Sequence, residues 1–306
     1  MKTVVVTGGA GFIGSHLVQQ LIEEEMHVHV IDNLATGSAD KILSEAVLYV
    51  EDIRSQKALQ TILSLKPEAV FHLAAQADVQ QSILYPMLDM EINVLGTLNM
   101  LEACRKAGVR KFIFASTSGV YGNAKKDLLE ETDPAEPISF YGLSKFAAER
   151  YIMLYGQLFD LDWTILRFAN VYGPGQTSKG EGGVVSVFVE QLRRDAPLTV
   201  NGDGKQTRDF IYVKDVVSAI AAARKKGSRE ILHVSTGIAT SVNRLVALLG
   251  QYHARDIQTL NRPGRAGDIH NSCLSNNRIK RILDWEPKFS IEEGLRETYF
   301  RFKPLS

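Results

Sequence analysis

The chain has 306 residues, enough for one large domain or two modest ones, each able to bury its own core. Its 35 basic and 35 acidic residues cancel, so no global field draws nucleic acid or an anionic membrane, and an anionic ligand has to be held by local groups. No apolar stretch reaches the roughly 18 residues that a membrane span needs. The start runs directly into a strand and a glycine turn, and the two cysteines, Cys104 and Cys273, form no Cys-x-x-Cys pair. They read as packing residues in a reducing compartment, and a cytoplasmic location is expected.

The first element is a strand at Thr3 to Thr7, followed at once by Gly8-Gly9-Ala10-Gly11-Phe12-Ile13-Gly14 and a helix from about Ser15. Small residues in such a turn let the backbone approach a pyrophosphate, while free amides and the positive end of the helix dipole meet its charge. His27 to Ile31 is the second strand, with Asp32 at its end. That carboxylate can accept hydrogen bonds from both hydroxyls of a ribose and would repel a 2′-phosphate, and Asn33-Leu34 supplies no arginine to neutralise one. NAD is therefore favoured over NADP; a turn cap is the other reading of Asp32.

Further β-branched runs at Ala46 to Val50, Ala69 to Leu73, Lys111 to Ala115 and Trp163 to Arg167 alternate with helical stretches. The pattern predicts a Rossmann-type α/β fold, a doubly wound parallel sheet with helices on both faces. Ser116-Thr117-Ser118 follows the Lys111 run at a strand's carboxyl end, where an open α/β sheet has its ligand crevice. These hydroxyls either cap a turn or face that crevice. Tyr141 and Lys145 stand four apart, so one helical turn puts both on the same face. A phenol is a poor base because its ordinary pKa is about 10, and a neighbouring ammonium favours the phenolate. Thr117, Tyr141 and Lys145 behind a dinucleotide turn point to hydride chemistry on an alcohol carbon.

After Arg167 the chain turns glycine- and proline-rich from Gly173 to Gly183, then gives a helix near Val184 to Arg194 and a strand at Leu198 to Asn201. Phe210 to Val213 and Ile231 to Val234 read as strands by which the chain crosses back. The expected organisation is a dinucleotide-binding domain at 1–168, rejoined by about 208–236, and a smaller α/β substrate domain from 169–207 and 237–306. His16 and His72 lack a second ligand at metal-binding spacing, so they read as packing and no metal site is expected.

Taken together, the glycine turn and Tyr141/Lys145 occur with Asp52-Ile53, His72-Leu73-Ala74-Ala75, Asn93-Val94-Leu95-Gly96-Thr97, Val120-Tyr121-Gly122, Arg167 through Pro174, Arg208-Asp209-Phe210 and Arg265-Ala266-Gly267-Asp268. This ordered series resembles the extended short-chain dehydrogenase/reductase superfamily, and within it the NAD-dependent nucleotide-sugar epimerases, over nearly the whole chain.

The resemblance implies that Asp52 and Ile53 flank the adenine and that Leu73, Ala74 and Ala75 line the cofactor. Gly8, Gly11, Phe12, Ile13, Gly14, Asp32, Asn33 and Phe168 join them, with Asn93 near the crevice. It implies Tyr141 as base, Thr117 sharing the sugar O4 proton, and Lys145 on the nicotinamide ribose. Asn170, Arg208 and Arg265 match residues that bind the nucleotide diphosphate-sugar, and guanidiniums suit phosphate oxygens. The implied reaction is C4 epimerisation of a UDP-hexose, UDP-glucose to UDP-galactose, through a transient 4-keto sugar with tightly held NAD.

Relatives that dehydrate carry an Asp-Glu pair after the catalytic threonine, and decarboxylases a glutamate where Gly119 sits; Ser118-Gly119 argues against both, although they remain the alternatives. A silent NAD-binding sensor would not need the whole Thr117/Tyr141/Lys145 set. Ser272 occupies the family's gate against N-acetyl sugars, and its small side chain leaves room for an acetamido group, so UDP-GlcNAc and UDP-GalNAc are candidate substrates too. Gln76-Ala77 departs from the lysine that contacts sugar in some 4-epimerases. The apolar helices around Ile92 to Ala103 and Phe146 to Gln157 match a family pattern of homodimers.

Overall fold

The computed structural model describes residues 2–177, 183–253, 255–263 and 271–301. Six strands of the first half, β1 (Thr3–Thr7), β2 (His27–Asp32), β3 (Val47–Val50), β4 (Ala69–His72), β5 (Lys111–Thr117) and β6 (Asp162–Phe168), are followed by β7 (Asn170–Tyr172), β8 (Leu198–Asn201), β9 (Thr207–Tyr212), β10 (Glu230–Val234), β11 (Ala239–Ser241), β12 (Thr259–Arg262) and β13 (Asn271–Ser272). The main sheet has seven parallel strands in the order β3-β2-β1-β4-β5-β6-β10. That is a doubly wound order, and it reverses between β1 and β4, the place where such sheets open a crevice.

The connections carry α1 (Phe12–Glu23), α2 (Gln56–Leu65), α3 (Val79–Leu84), α4 (Pro86–Met90), α5 (Gly96–Ala107), α6 (Phe140–Phe159), α7 (Val184–Arg193), α8 (Val213–Ala223), α9 (Val242–Gly250), α10 (Asn277–Leu283) and α11 (Ile291–Arg301). One π turn, Glu91–Leu95, joins α4 to α5. Strand alternation divides the core in two. Val4, Val6, Phe71 and Ile113 pack on Leu17, Val18 and Leu21 of α1, whereas Val5, Val70, Phe112 and Phe114 pack on α2 and α5 through Ile62, Met100 and Leu101. Both faces are covered, so the strand interiors are mostly apolar.

The structure differs from the sequence reading around residue 210. The strand there runs from Thr207 to Tyr212, and Val213 opens α8. It pairs with β7, β11 and β13 in a second sheet, and the return to the main sheet is made by α8, packed on α1, and by β10. Charge alone does not decide between the sheets, since β6 carries Asp162 and Arg167 inside the main one. In the second sheet Asp209, almost fully buried, finds its partners: it accepts bonds from the backbone N–H groups of Thr236 and Gly237, each at 2.9 Å, and from the Thr236 hydroxyl at 2.7 Å.

Candidate active site

The turn after β1 is built for close approach. Gly8 has φ +72°, and a Cβ there would stand 2.6 Å from the Ala74 nitrogen. α1 starts with Gly11 as its N-cap, without a side-chain cap and with no acidic residue in its first turn. Its leading N–H groups and dipole are thus turned to the crevice. Asp32 accepts the Ala10 N–H at 2.9 Å on one oxygen and the Leu34 N–H at 2.8 Å on the other. A carboxylate has about four acceptor sites, so it can fix the turn and still receive ribose hydroxyls.

Beside it, Asp52 takes a hydrogen bond from Asn33 at 3.0 Å and two from Arg54 at 2.8 Å. The Arg54 guanidinium holds that carboxyl down at about 2. Arg54 escaped the sequence reading. Its charge is already matched by Asp52 and by Glu91 at 3.5 Å, so it does not make a 2′-phosphate site of this corner.

A cavity of about 480 Å³ opens at the switch point. Its lining includes Gly8, Gly11, Phe12, Ile13, Gly14, Asp32, Asn33, Asp52, Ile53, Leu73, Ala74, Ala75, Tyr141, Lys145 and Phe168. A second cavity of about 220 Å³ adjoins it and is lined by Thr117, Asn170, Tyr172, Gln176 and Val185 among others. Tyr141, Phe12, Ile13, Ala77, Ser116 and Phe168 line both. Tyr141 therefore stands at the boundary of the cavity lined by the glycine turn and Asp32 and a smaller one lined by Thr117.

Local structure explains how α6 reaches this boundary. Ser139 caps the helix by accepting the Gly142 N–H at 3.1 Å. Gly142 lets the helix lie against the turn after β5: a Cβ there would stand 2.6 Å from the Gly119 carbonyl oxygen. Thr117 ends β5, and its hydroxyl oxygen accepts the Gly119 N–H at 3.0 Å, which leaves its proton to be donated elsewhere. Lys145 is 2% exposed, with its Nζ 4.0 Å from the centre of the Phe114 ring.

His72 lies beneath the site. Its Nδ1 is 2.7 Å from the Thr7 hydroxyl and its Nε2 3.0 Å from that of Thr97, which itself donates to the Asn93 carbonyl at 2.6 Å. The Thr97 proton is committed, so Nε2 is the protonated nitrogen and Nδ1 accepts from Thr7. Burial, helped by the Lys145 charge, pushes His72 down to about 3, and it is a neutral packing group. His16 donates to the Pro174 carbonyl at 2.9 Å.

Asn93 stands one layer behind the larger cavity, on the π turn. It exchanges two hydrogen bonds of 2.9 Å with the Gln76 backbone and donates to the Ser144 hydroxyl at 3.0 Å. Gln76 bonds inward as well, to the Asp78 carbonyl, the Asp78 N–H and the Asp89 carboxylate. Its side chain braces the loop from Leu73 to Asp78, and Ala77 beside it lines both cavities. Burial raises the Asp89 carboxyl, opposed by Ser144, Gln76, the Lys145 charge and Asn93. Sequence reasoning missed Asp89; an acidic residue four before Asn93 in an apolar helix was the available signal.

Arg208 and Ser272 are register partners on the parallel strands β9 and β13. Ser272 is 8% exposed. Neither lines the smaller cavity. Arg265, with Ala266, Gly267 and Asp268, lies outside the described residues.

Comparison with known proteins agrees with this geometry. Residues 4–235 match the model of the NAD dependent epimerase/dehydratase family. The UDP-glucose 4-epimerase of Mycolicibacterium smegmatis is 39% identical over 313 residues, spanning 99% of each chain. Among solved structures, a UDP-glucose 4-epimerase of Thermotoga maritima with UDP-glucose superposes with a TM-score of 0.95 at 44% identity, covering 98% of both chains. A UDP-glucose 4-epimerase of Thermus thermophilus in complex with NAD gives 0.93 at 39% identity, again covering 98% of both. The chain belongs to the NAD-dependent epimerase/dehydratase family, as an extended short-chain dehydrogenase/reductase of the nucleotide-sugar epimerase kind.

Proposed function

We propose that the protein interconverts UDP-glucose and UDP-galactose by C4 epimerisation. One observation carries this assignment: Tyr141 lines both the cavity with the glycine turn and Lys145 and the cavity with Thr117 and Asn170. A base at that boundary can take the O4 proton while the carbon beneath faces the cofactor. Thr117 donates its hydroxyl proton to the same oxygen and holds it in line. The Lys145 ammonium favours the phenolate form of Tyr141. Gly8, Gly11, Asp32 and Lys145 would hold NAD, which would supply reversible hydride transfer at C4; return of the hydride to the opposite face of a 4-keto sugar would give the epimer and leave the cofactor unchanged.

Asn170, Arg208 and Arg265 are assigned to the nucleotide diphosphate, which anchors the substrate while the hexose turns. Ser118-Gly119 supplies no carboxylate beside Thr117 for elimination or for handling a uronate, which favours epimerisation over 4,6-dehydration and decarboxylation. Small Ser272 favours N-acetyl sugars as second substrates. The division of labour is a cofactor unit from 1–168 with α8 and β10, and a substrate unit from the remaining segments.

Among the described residues no helix is long and apolar enough to cross a membrane. Two buried cysteines, each remote from any partner, favour a cytoplasmic home. α6 turns Leu143, Tyr151, Leu154 and Leu158 outward, each at least 41% exposed. A second copy of the chain suits that apolar face, making a homodimer.

The test is an NMR time course of purified protein with UDP-galactose and, separately, UDP-N-acetylglucosamine, with no cofactor added. The C4 epimer is expected in both. A time course that stays silent after adding NAD would refute the assignment, and turnover of UDP-galactose alone would remove the Ser272 argument.

A further inference from the structure

The stripe of α6 that carries Tyr141 and Lys145 continues one turn on to Glu149, because positions i, i+4 and i+8 share a face. Glu149 is fully buried. Its carboxylate accepts the Ser116 hydroxyl at 2.5 Å and is gripped by Arg167 through Nε at 2.9 Å and Nη2 at 2.6 Å. Ser116 precedes Thr117 directly and is the register partner of Arg167 across β5 and β6.

The remaining donor of Arg167 continues the network. Nη1 donates to the Tyr121 hydroxyl at 2.7 Å. Tyr121 closes the short 3-10 turn, Ser118–Tyr121, that begins after Thr117. Its hydroxyl lies 2.5 Å from His233 Nε2, and His233 Nδ1 lies 3.0 Å from the Ser275 carbonyl. A carbonyl only accepts, so the proton sits on Nδ1 and Nε2 receives the Tyr121 proton. The chain of bonds thus brackets Thr117, with Ser116 on one side and Tyr121 on the other, and ties both to the helix of Tyr141.

Stability alone gives little reason for this arrangement. A buried ion pair is commonly matched or bettered by well-packed apolar residues of similar volume. Directional bonds do what packing does not: they fix the height and rotation of α6 on β5 within the fraction of an ångström that a reacting constellation requires.

We propose that Glu149, acting with Arg167 and Tyr121, is the positioning group that sets the Thr117 hydroxyl against the Tyr141 phenol. This rests on the assigned 4-epimerisation, in which both hydroxyls meet one substrate oxygen. Glu149 touches neither of them and acts through Ser116 and the turn.

Glu149→Gln alone strands the Arg167 charge and is expected to fold poorly. The informative variants are Ser116→Ala, which leaves the ion pair whole, and the joint change Glu149→Met with Arg167→Met, which removes both charges together. Each is measured alone and with Thr117→Val, as kcat and KM for UDP-galactose per mole of protein-bound NAD, so that unfolded protein does not count. Ser116→Ala is expected to lower kcat about tenfold with KM within about twofold, because misplacement of about an ångström costs on the order of a hundredfold.

In the Thr117→Val background the same change should have almost no further effect, since no hydroxyl is left to position. Equal losses in both backgrounds, or a lowered Tm with kcat unchanged, would overturn the proposal. A wild type that leaves UDP-galactose untouched defeats the 4-epimerase assignment on its own. The cycle is then run on reduction of bound NAD by UDP-glucuronate or UDP-N-acetylglucosamine, followed by near-ultraviolet absorbance, with the same two outcomes deciding it.

Discussion

Gly142→Ala adds one methyl group where α6 packs closely on the turn after β5. Its Cβ would stand 2.6 Å from the Gly119 carbonyl oxygen, 3.2 Å from the Gly119 carbonyl carbon and 3.2 Å from the Pro137 Cβ. Ordinary contact begins at 3.4 Å, so α6 has to retreat by about 0.8 Å from the turn that follows Thr117. Nothing flexible absorbs the shift, because the nearest neighbour is backbone.

Two effects on stability oppose each other. Overpacking costs about 1–3 kcal/mol, whereas exchanging glycine for alanine in a helix returns up to about 1 kcal/mol. The fold should therefore survive with Tm lowered by a few degrees. Catalysis has no such compensation, because Tyr141 is carried by α6 and Thr117 by the strand from which the helix retreats. A displacement approaching an ångström is worth on the order of a hundredfold in rate. The assay is kcat for UDP-galactose at saturating substrate, with bound NAD counted for each preparation. Wild-type kcat in a folded, NAD-loaded Gly142→Ala protein would refute the claim that the approach of α6 to the Gly119 turn sets the chemistry.

Tyr141→Phe should lower epimerase turnover by at least about a hundredfold while leaving bound NAD in place, the range expected for loss of a general base; unchanged turnover would remove the phenol from its assigned role. Asp32→Ala removes both braces on the turn together with the acceptor proposed for the ribose. Charged hydrogen bonds are worth about 1.5–3 kcal/mol each, so the variant should lose most of the NAD that the wild type keeps through purification, and full retention by absorbance would contradict that.

His72 and His233 are buried and pushed by desolvation to about 3, whereas the unfolded chain binds those protons near pH 6.5. Between these values the unfolded state holds more protons, so stability rises with pH, is complete above about 7 and is lost as pH falls. The free energy from urea unfolding should drop between pH 7 and pH 5 with a slope approaching about 1.4 kcal/mol per unit for each histidine, and a flat profile would show that these imidazoles take up protons in the fold.

What the sequence disclosed was what lies close together along the chain. The glycine turn, Asp32 at the end of β2 and the Tyr141/Lys145 pair are local patterns, and the parallel sheet with helices on both faces follows from β-branched runs alternating with helices. Contacts between distant positions were not legible. Gly142 meets Gly119, Glu149 meets Ser116 and Arg167, and Asn93 meets Gln76 only after the sheet has formed, and no periodicity announces such pairs. The second sheet shows the same limit. Apolar residues from Phe210 to Val213 suggested a return to the first domain, yet their strand joins the second sheet, where the Thr236 and Gly237 backbone, remote in sequence, meets Asp209.

α6 shows most plainly why the site could be found but not built from sequence. Its inner face buries Ser144, Lys145 and Glu149, and its outer face exposes Leu143, Leu154 and Leu158. An amphipathic helix ordinarily keeps its charges outside, so Lys145 and Glu149, buried beside Ala148 and Ile152, stand against that pattern. Two demands reverse the rule. The polar stripe is held inside because Arg167, Ser116, Asn93 and the Phe114 ring satisfy it there. The apolar stripe remains outside, where a second copy of the chain suits it. A helix that buries charge and exposes leucine therefore marks a site on its inner face, here the one with the Tyr141/Lys145 pair, and leaves an outer face that the proposed homodimer would cover.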